Sequence, residues 1–164
     1  MSGDPRIPGP ATPGPATPDS ASPDSASLAP MTPAQVNVRL GQIPFFRFLG
    51  FSFTAIAADE AEAVLPFAER LIGNPVREHY HGGIIASFME AVAAITVAPD
   101  LPGGRPAKPI NLTIDYLRPA VRGPLMARAA VMRRGRRMAS LRSIAWQDDP
   151  ARPVAEGLYH FLLV

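Results

Sequence analysis

The stretch IIASFMEAVAAITVA, residues 84–98, decides how this chain must fold. At helical rise it is about 22 Å long, and Glu90 is its one charged residue. A helix that is apolar all round has no face for water and belongs inside something. It is too short and, with Glu90 in it, too polar to cross a bilayer, and Pro99 ends it. The rest of the chain therefore has to supply the cover.

Immediately before the helix stand His81, Gly82 and Gly83. Two glycines at a helix start leave backbone N–H groups with no side chain in the way, at the end where the helix dipole favours negative charge. Such a start can cradle a carbonyl oxygen that is becoming an oxyanion. Glu90 lies eight residues beyond Gly82, about two turns away, so within one helix the two cannot touch the same small group. A carboxylate among Phe88, Met89, Ala91 and Val92 is costly unless paired or protonated. It finds a long-range partner, emerges at a cleft, performs chemistry, or sits on one solvated edge of the helix; composition alone leaves these open.

Outside the helix the pattern is that of strands. Phe51–Ala57 and Glu60–Leu65 precede it; Asn111–Leu117, Leu125–Arg134, Met138–Trp146 and Val154–Val164 follow, with Gly135 as a hairpin turn. About five antiparallel strands with one long helix inserted after the second make an α+β domain. A single sheet covers only half of such a helix, which calls for a partner subunit. Upstream, Thr32-Pro33-Ala34-Gln35 has the form of a helix start, with a capping Thr, Pro at the first position and Gln three residues on. Residues 1–30 are nearly all Pro, Ala, Ser, Thr, Gly and Asp and read as a disordered tail, leaving residues 31–164 as the folded domain.

The chain has 164 residues, 20 of them Pro, and no Cys, which excludes a disulfide framework, a cysteine metal site and thiol catalysis. No cationic start followed by an apolar core marks a secretory signal, so a cytoplasmic location is expected. The net charge of +2 hides an asymmetry: from Arg105 to Arg142 there are ten Arg or Lys and a single acid, Asp115. Such a stripe suits an anion. Nucleic acid is disfavoured, because no aromatic is interleaved to stack on bases and no recognition-helix or zinc spacing occurs. His79 and His81 lack further ligands at convincing spacing, so no metal is expected.

Taken together, NPVREHYHGGIIASFMEAVA, INLTIDYLRPA, VMRRGRRMAS and the closing VAEGLYHFLLV resemble the hotdog-fold acyl-CoA thioesterases of the phenylacetic-acid-degradation type, over about residues 45–164. The resemblance implies a sheet of five or six strands wrapped round one long helix, paired into dimers or dimers of dimers. It implies hydrolysis of a CoA thioester to a carboxylic acid and free CoA, without a metal or redox cofactor. The family's helix carboxylate falls on Glu90, as general base or nucleophile. Its oxyanion glycine falls on Gly82, with Gly83 beside it, and its loop Asn on Asn74, while His81 helps to shape the pocket. In the family's dimers the carboxylate and the glycine of one site come from different subunits. The resemblance also gives the basic stripe a natural anion in the phosphates of CoA, with Arg118, Arg133, Arg134 and Arg136 as the candidate contacts. Two other readings fit these residues: a hotdog dehydratase or hydratase, although the histidine-phenylalanine-proline-glycine signature is absent, and a non-catalytic acyl-CoA-binding dimer.

Overall fold

The computed structural model describes residues 31–98 and 107–163; the tail assigned to residues 1–30 lies outside the described residues. In chain order the elements are α1 (Pro33–Leu40), α2 (Pro44–Leu49), β1 (Ser52–Ile56), β2 (Glu60–Leu65), β3 (Ile72–Asn74), β4 (His79–Tyr80), α3 (Gly82–Val97), β5 (Ala107–Tyr116), β6 (Leu125–Arg134), β7 (Met138–Trp146) and β8 (Ala155–Leu163), with a short 3-10 turn at Glu69–Leu71. Helix α1 starts as its sequence dictates: the Gln35 N–H donates to Thr32 Oγ1, and Gln35 Oε1 accepts from the Thr32 N–H at 2.9 Å. Asn37 then ties α1 to β1, accepting from the Phe53 N–H at 2.7 Å and donating to the Phe53 carbonyl at 3.0 Å.

Six strands form one antiparallel sheet in the order β1-β2-β6-β7-β8-β5, and β3 pairs with β4 as a separate ribbon. Period-two alternation sends Ala61, Ala63 and Leu65 of β2, Leu125, Ala127 and Ala129 of β6, and Ala139, Leu141 and Ala145 of β7 into the core. So many alanines matter, because a floor of short side chains lets α3 approach the sheet closely. The opposite face is polar, with cross-strand pairs such as Arg128–Glu62 at 2.5 Å and Arg142–Glu156 at 2.6 Å.

Helix α3 lies on the inner face, and Phe88, Met89, Val92 and Ala93 are fully buried. One stripe escapes the sheet. Gly83, Ala86, Ser87, Glu90 and Ala94, at three- and four-residue spacing, remain partly or wholly exposed.

Two expectations are adjusted. The third main strand, read as starting at Asn111, already includes Ala107, with an irregularity in register between Pro109 and Asn111. Proline is tolerated there because β5 is an edge strand, where a missing N–H leaves no neighbour unpaired. Helix α2 was not anticipated, although Pro44 at its first turn and Gly50 in the left-handed conformation (φ 79°) at its end are ordinary start and stop signals.

Candidate active site

The start of α3 is the most specifically built part of the molecule. His81 is the N-cap, in extended conformation, and its Nδ1 accepts from the Gly83 N–H at 3.0 Å. The Ile84 and Ile85 N–H groups both turn back to the His81 carbonyl. Of the first-turn donors, the Gly82 N–H alone has no partner among the described residues. Sequence reasoning placed the oxyanion donor at Gly82 with Gly83 beside it; the His81 ring already takes the Gly83 donor.

Three hydrogen bonds and one close approach hold this start in place. The His81 N–H donates to the Leu71 carbonyl, and the Tyr80 N–H to the Ala120 carbonyl, both at 2.9 Å. Gly73 lies so close that a Cβ there would come within 2.6 Å of the His81 Cα, so only glycine fits without the backbone moving. From β5, the Tyr116 hydroxyl donates to the Gly82 carbonyl at 2.9 Å, and its ring flanks Gly82. An open cleft of about 330 Å³ borders Gly82, with Tyr116, Leu117, Arg118 and Pro119 on its walls.

Glu90 lies on the open stripe of α3, two turns along. Its carboxylate has no hydrogen bond or ion pair among the described residues, and burial raises its pKa above the usual carboxylate range. Of the alternatives open at the sequence level, a structural ion pair is therefore not how these residues accommodate the charge. The separation from Gly82 stays at two helical turns within one subunit.

Asn74 is exposed at the end of β3, where its Oδ1 accepts from the Val76 and Arg77 N–H groups at 3.1 Å each and closes its own turn. It pairs across the ribbon with His79, two residues before the N-cap.

The basic stripe does not form one patch. Arg134 donates to the Val97 carbonyl, the last of α3, at 3.0 Å and to Asp59 at 3.2 Å. Arg118 lines the cleft, yet its Nη1 donates to the Pro153 carbonyl at 2.7 Å. Arg122 is held by Glu78 at 2.7 Å and Glu69 at 3.4 Å, and Arg128 and Arg142 by the sheet-face acids. Arg133, Arg136, Arg137 and Lys108 have no acidic partner among the described residues. They share the hairpin end of the sheet, where Leu162 pairs with both Met138 and Lys108.

Among the described residues no group of three or more His, Asp or Glu could hold a metal ion, and no helix is long and apolar enough to cross a membrane.

One long helix packed on an antiparallel six-stranded sheet, with its glycine-led start beside a cleft, defines a hotdog domain of the thioesterase class. The comparisons narrow this. The family described as acyl-CoA thioesterase N-terminal domain matches residues 73–162, and the chain belongs to this thioesterase family. A Mycobacterium tuberculosis protein whose name places it provisionally among the esterases is 30% identical over 132 residues, 79% of this chain and 90% of that protein. Among solved structures, a phenylacetic acid degradation-related protein of Ralstonia eutropha superposes with a TM-score of 0.66 at 27% identity, covering 74% of this chain and 91% of the other. A Haemophilus influenzae thioesterase superposes with a TM-score of 0.72, covering 82% and 91%; at 20% identity it speaks for the fold alone.

Proposed function

We propose that this protein hydrolyses acyl-CoA thioesters to a carboxylic acid and free CoA. The observation that carries the reading is the unpartnered Gly82 N–H at the start of α3, beside a cleft. It is a donor with no structural task, placed where a developing oxyanion would be stabilised. The second element is Glu90, a carboxylate without a partner among the described residues and with a pKa raised by burial. That combination suits a general base near neutral pH.

In the simplest course, Glu90 takes a proton from water as the oxygen attacks the thioester carbonyl. The carbonyl oxygen becomes an oxyanion held by the Gly82 N–H. Collapse of this intermediate breaks the C–S bond, and the CoA thiolate leaves and takes up a proton. Direct attack by the Glu90 carboxylate, followed by hydrolysis of the resulting anhydride, uses the same two groups. CoA enters only as part of the substrate, and no cofactor is required.

Because two helical turns separate Gly82 from Glu90, one complete site needs Gly82 from one subunit and Glu90 from another. A homodimer, alone or doubled, is therefore part of the proposal. The exposed apolar residues of β5, Ile110, Leu112 and Tyr116, support an association along that edge. The unpaired cations Lys108, Arg133, Arg136 and Arg137 lie near the far end of α3 within one subunit, and in a dimer they are available to the phosphates of CoA. Asn74 and His81 support the site by fixing the ribbon and the helix start.

Thiol release from short, medium, long and aromatic acyl-CoAs, measured for the wild type and Glu90→Gln, tests the reading. The expected result is turnover of at least one substrate and a fall of about a hundredfold or more in the variant. Binding without thiol release would favour an acyl-CoA-binding dimer, and reversible loss of water a dehydratase. Equal rates in the two proteins would remove Glu90 from the chemistry.

A further inference from the structure

The cleft beside Gly82 has a histidine on its wall that the chemistry above does not use. His79 of β4 is half-buried there, in the same subunit as Gly82. The chain has three histidines, and two of them are tied down. His81 Nδ1 accepts from the Gly83 N–H, and His160 Nδ1 lies 2.9 Å from the Ser140 hydroxyl. The His79 ring has no hydrogen bond or ion pair among the described residues.

The other polar side chains on that wall are committed. The Tyr80 hydroxyl donates to the Gly123 carbonyl at 2.8 Å, the Tyr116 hydroxyl to the Gly82 carbonyl at 2.9 Å, and the Arg118 guanidinium to the Pro153 carbonyl at 2.7 Å. A guanidinium keeps its proton at any working pH, and a phenol gives one up only well above neutrality. Imidazole is the side chain that exchanges a proton readily near neutral pH. Among the described residues lining the cleft, His79 is therefore the one fitted to hand over a proton.

Its place is fixed from both sides. Asn74 stands opposite it in the ribbon and closes its own turn. Tyr80 is held by its N–H on the Ala120 carbonyl and by its hydroxyl on Gly123. Glu78, in the left-handed conformation at φ 52°, is gripped by Arg122 at 2.7 Å. The backbone around His79 is thus secured while its ring is left free.

The reaction has a task for such a ring. When the oxyanion at the Gly82 N–H collapses, the electron pair of the C–S bond goes to sulfur, and an alkyl thiolate leaves reluctantly unless it is protonated. Oxygen and sulfur are bonded to the same carbon, so a thioester whose oxygen meets the Gly82 N–H brings its sulfur into the same cleft. We propose that His79 is the general acid of the hydrolysis. Its imidazolium gives a proton to the sulfur as the C–S bond breaks, CoA leaves as the thiol, and the neutral ring takes a proton back from water. Glu90 keeps its own task, removing the proton of the attacking water. The proposal rests on the hydrolase reading and adds a second proton-transfer residue to it, on the Gly82 side of the subunit pair.

The test varies the leaving group. Wild type and His79→Gln are compared on two thioesters of one acyl group, the first of N-acetylcysteamine, an alkyl thiol, and the second of a nitrothiophenol, an acidic aryl thiol that leaves without help. In the variant kcat should fall by about a hundredfold on the alkyl thioester and stay nearly unchanged on the aryl one. Equal losses on both would make His79 structural and overturn the proposal, as would an undiminished rate on the alkyl thioester. Should His79→Gln fail to fold, the wild type alone decides. Its kcat should depend weakly on thiol acidity across a series from alkyl to aryl, and a steep dependence overturns the proposal. Absence of thiol release from the wild type defeats the hydrolase reading and the proposal together, whereas turnover with the wrong leaving-group pattern defeats His79 alone.

Discussion

At its C-terminal end α3 gives the Val97 carbonyl to the Arg134 guanidinium, which Asp59 holds from the other side. At its N-terminal end the Gly82 N–H meets nothing among the described residues, although the His81 ring, one residue away, closes off the Gly83 N–H. One end is capped by a cation that complements the helix dipole. The other is capped around a single vacant donor. With His81 as the cap, the Gly82 N–H is the one first-turn donor left without a partner among the described residues, as the first N–H of a capped helix ordinarily is.

The largest effect expected from breaking this contrast is that of Gly82→Pro. Proline at the first helical position removes only the N–H, and the preceding His81, at φ −67° and ψ 131°, already has the conformation that proline imposes on its neighbour. The Tyr116 ring is 3.4 Å from where a Cβ would stand, an ordinary contact. The helix should form, while kcat for thioester hydrolysis falls by about 10²–10³. Gly82→Ala keeps the donor and should keep most of the rate. Equal losses in the two variants would point to crowding in place of a missing donor.

Arg134→Ala acts at the opposite end. It removes the cap from Val97 and the pair with Asp59, and should cost about 1 kcal/mol, the group being partly exposed. Thermal unfolding should show a Tm lower by about 2–4 °C with kcat unchanged. A large fall in kcat would mean that this end is functional as well.

The smallest effect concerns stability against pH. Burial raises the folded-state pKa of Glu90 above its unfolded value, so the folded protein holds that proton more tightly. The resulting stability is fully present below the ordinary carboxylate range and is lost as pH rises through the raised pKa. Glu90→Gln should therefore melt above the wild type at neutral pH, with the gain vanishing in acid. A Tm difference independent of pH would mean that the carboxylate is not strained by its surroundings.

The parts of the molecule legible in the sequence are those whose signals are local. The apolar IIASFMEAVAAITVA could only be a buried helix, Thr32 and Gln35 wrote their own capping box, and the alternation around Gly135 gave the hairpin, whose Gly135 N–H donates to Met138 at 2.8 Å. Gly82, His81 and Glu90 stood out for the same reason. The basic stripe did not resolve, because what decides each arginine lies far along the chain: Arg134 needs Asp59, and Arg122 needs Glu78 and Glu69. Tyr159 of β8 was invisible among the apolar residues of its strand, since only packing tells that its buried hydroxyl has no hydrogen-bond partner among the described residues. The β3–β4 ribbon escaped notice because two such short strands leave no period to count.

The sheet order carries a consequence for how the molecule assembles. Among the described residues strand β5 pairs within the sheet only with β8, which follows it in sequence after β6 and β7. Tyr116, which fixes the start of α3, therefore has no template until β8 has inserted between β7 and β5. A chain in which β8 has not yet inserted therefore lacks the contact by which Tyr116 holds the Gly82 end of α3.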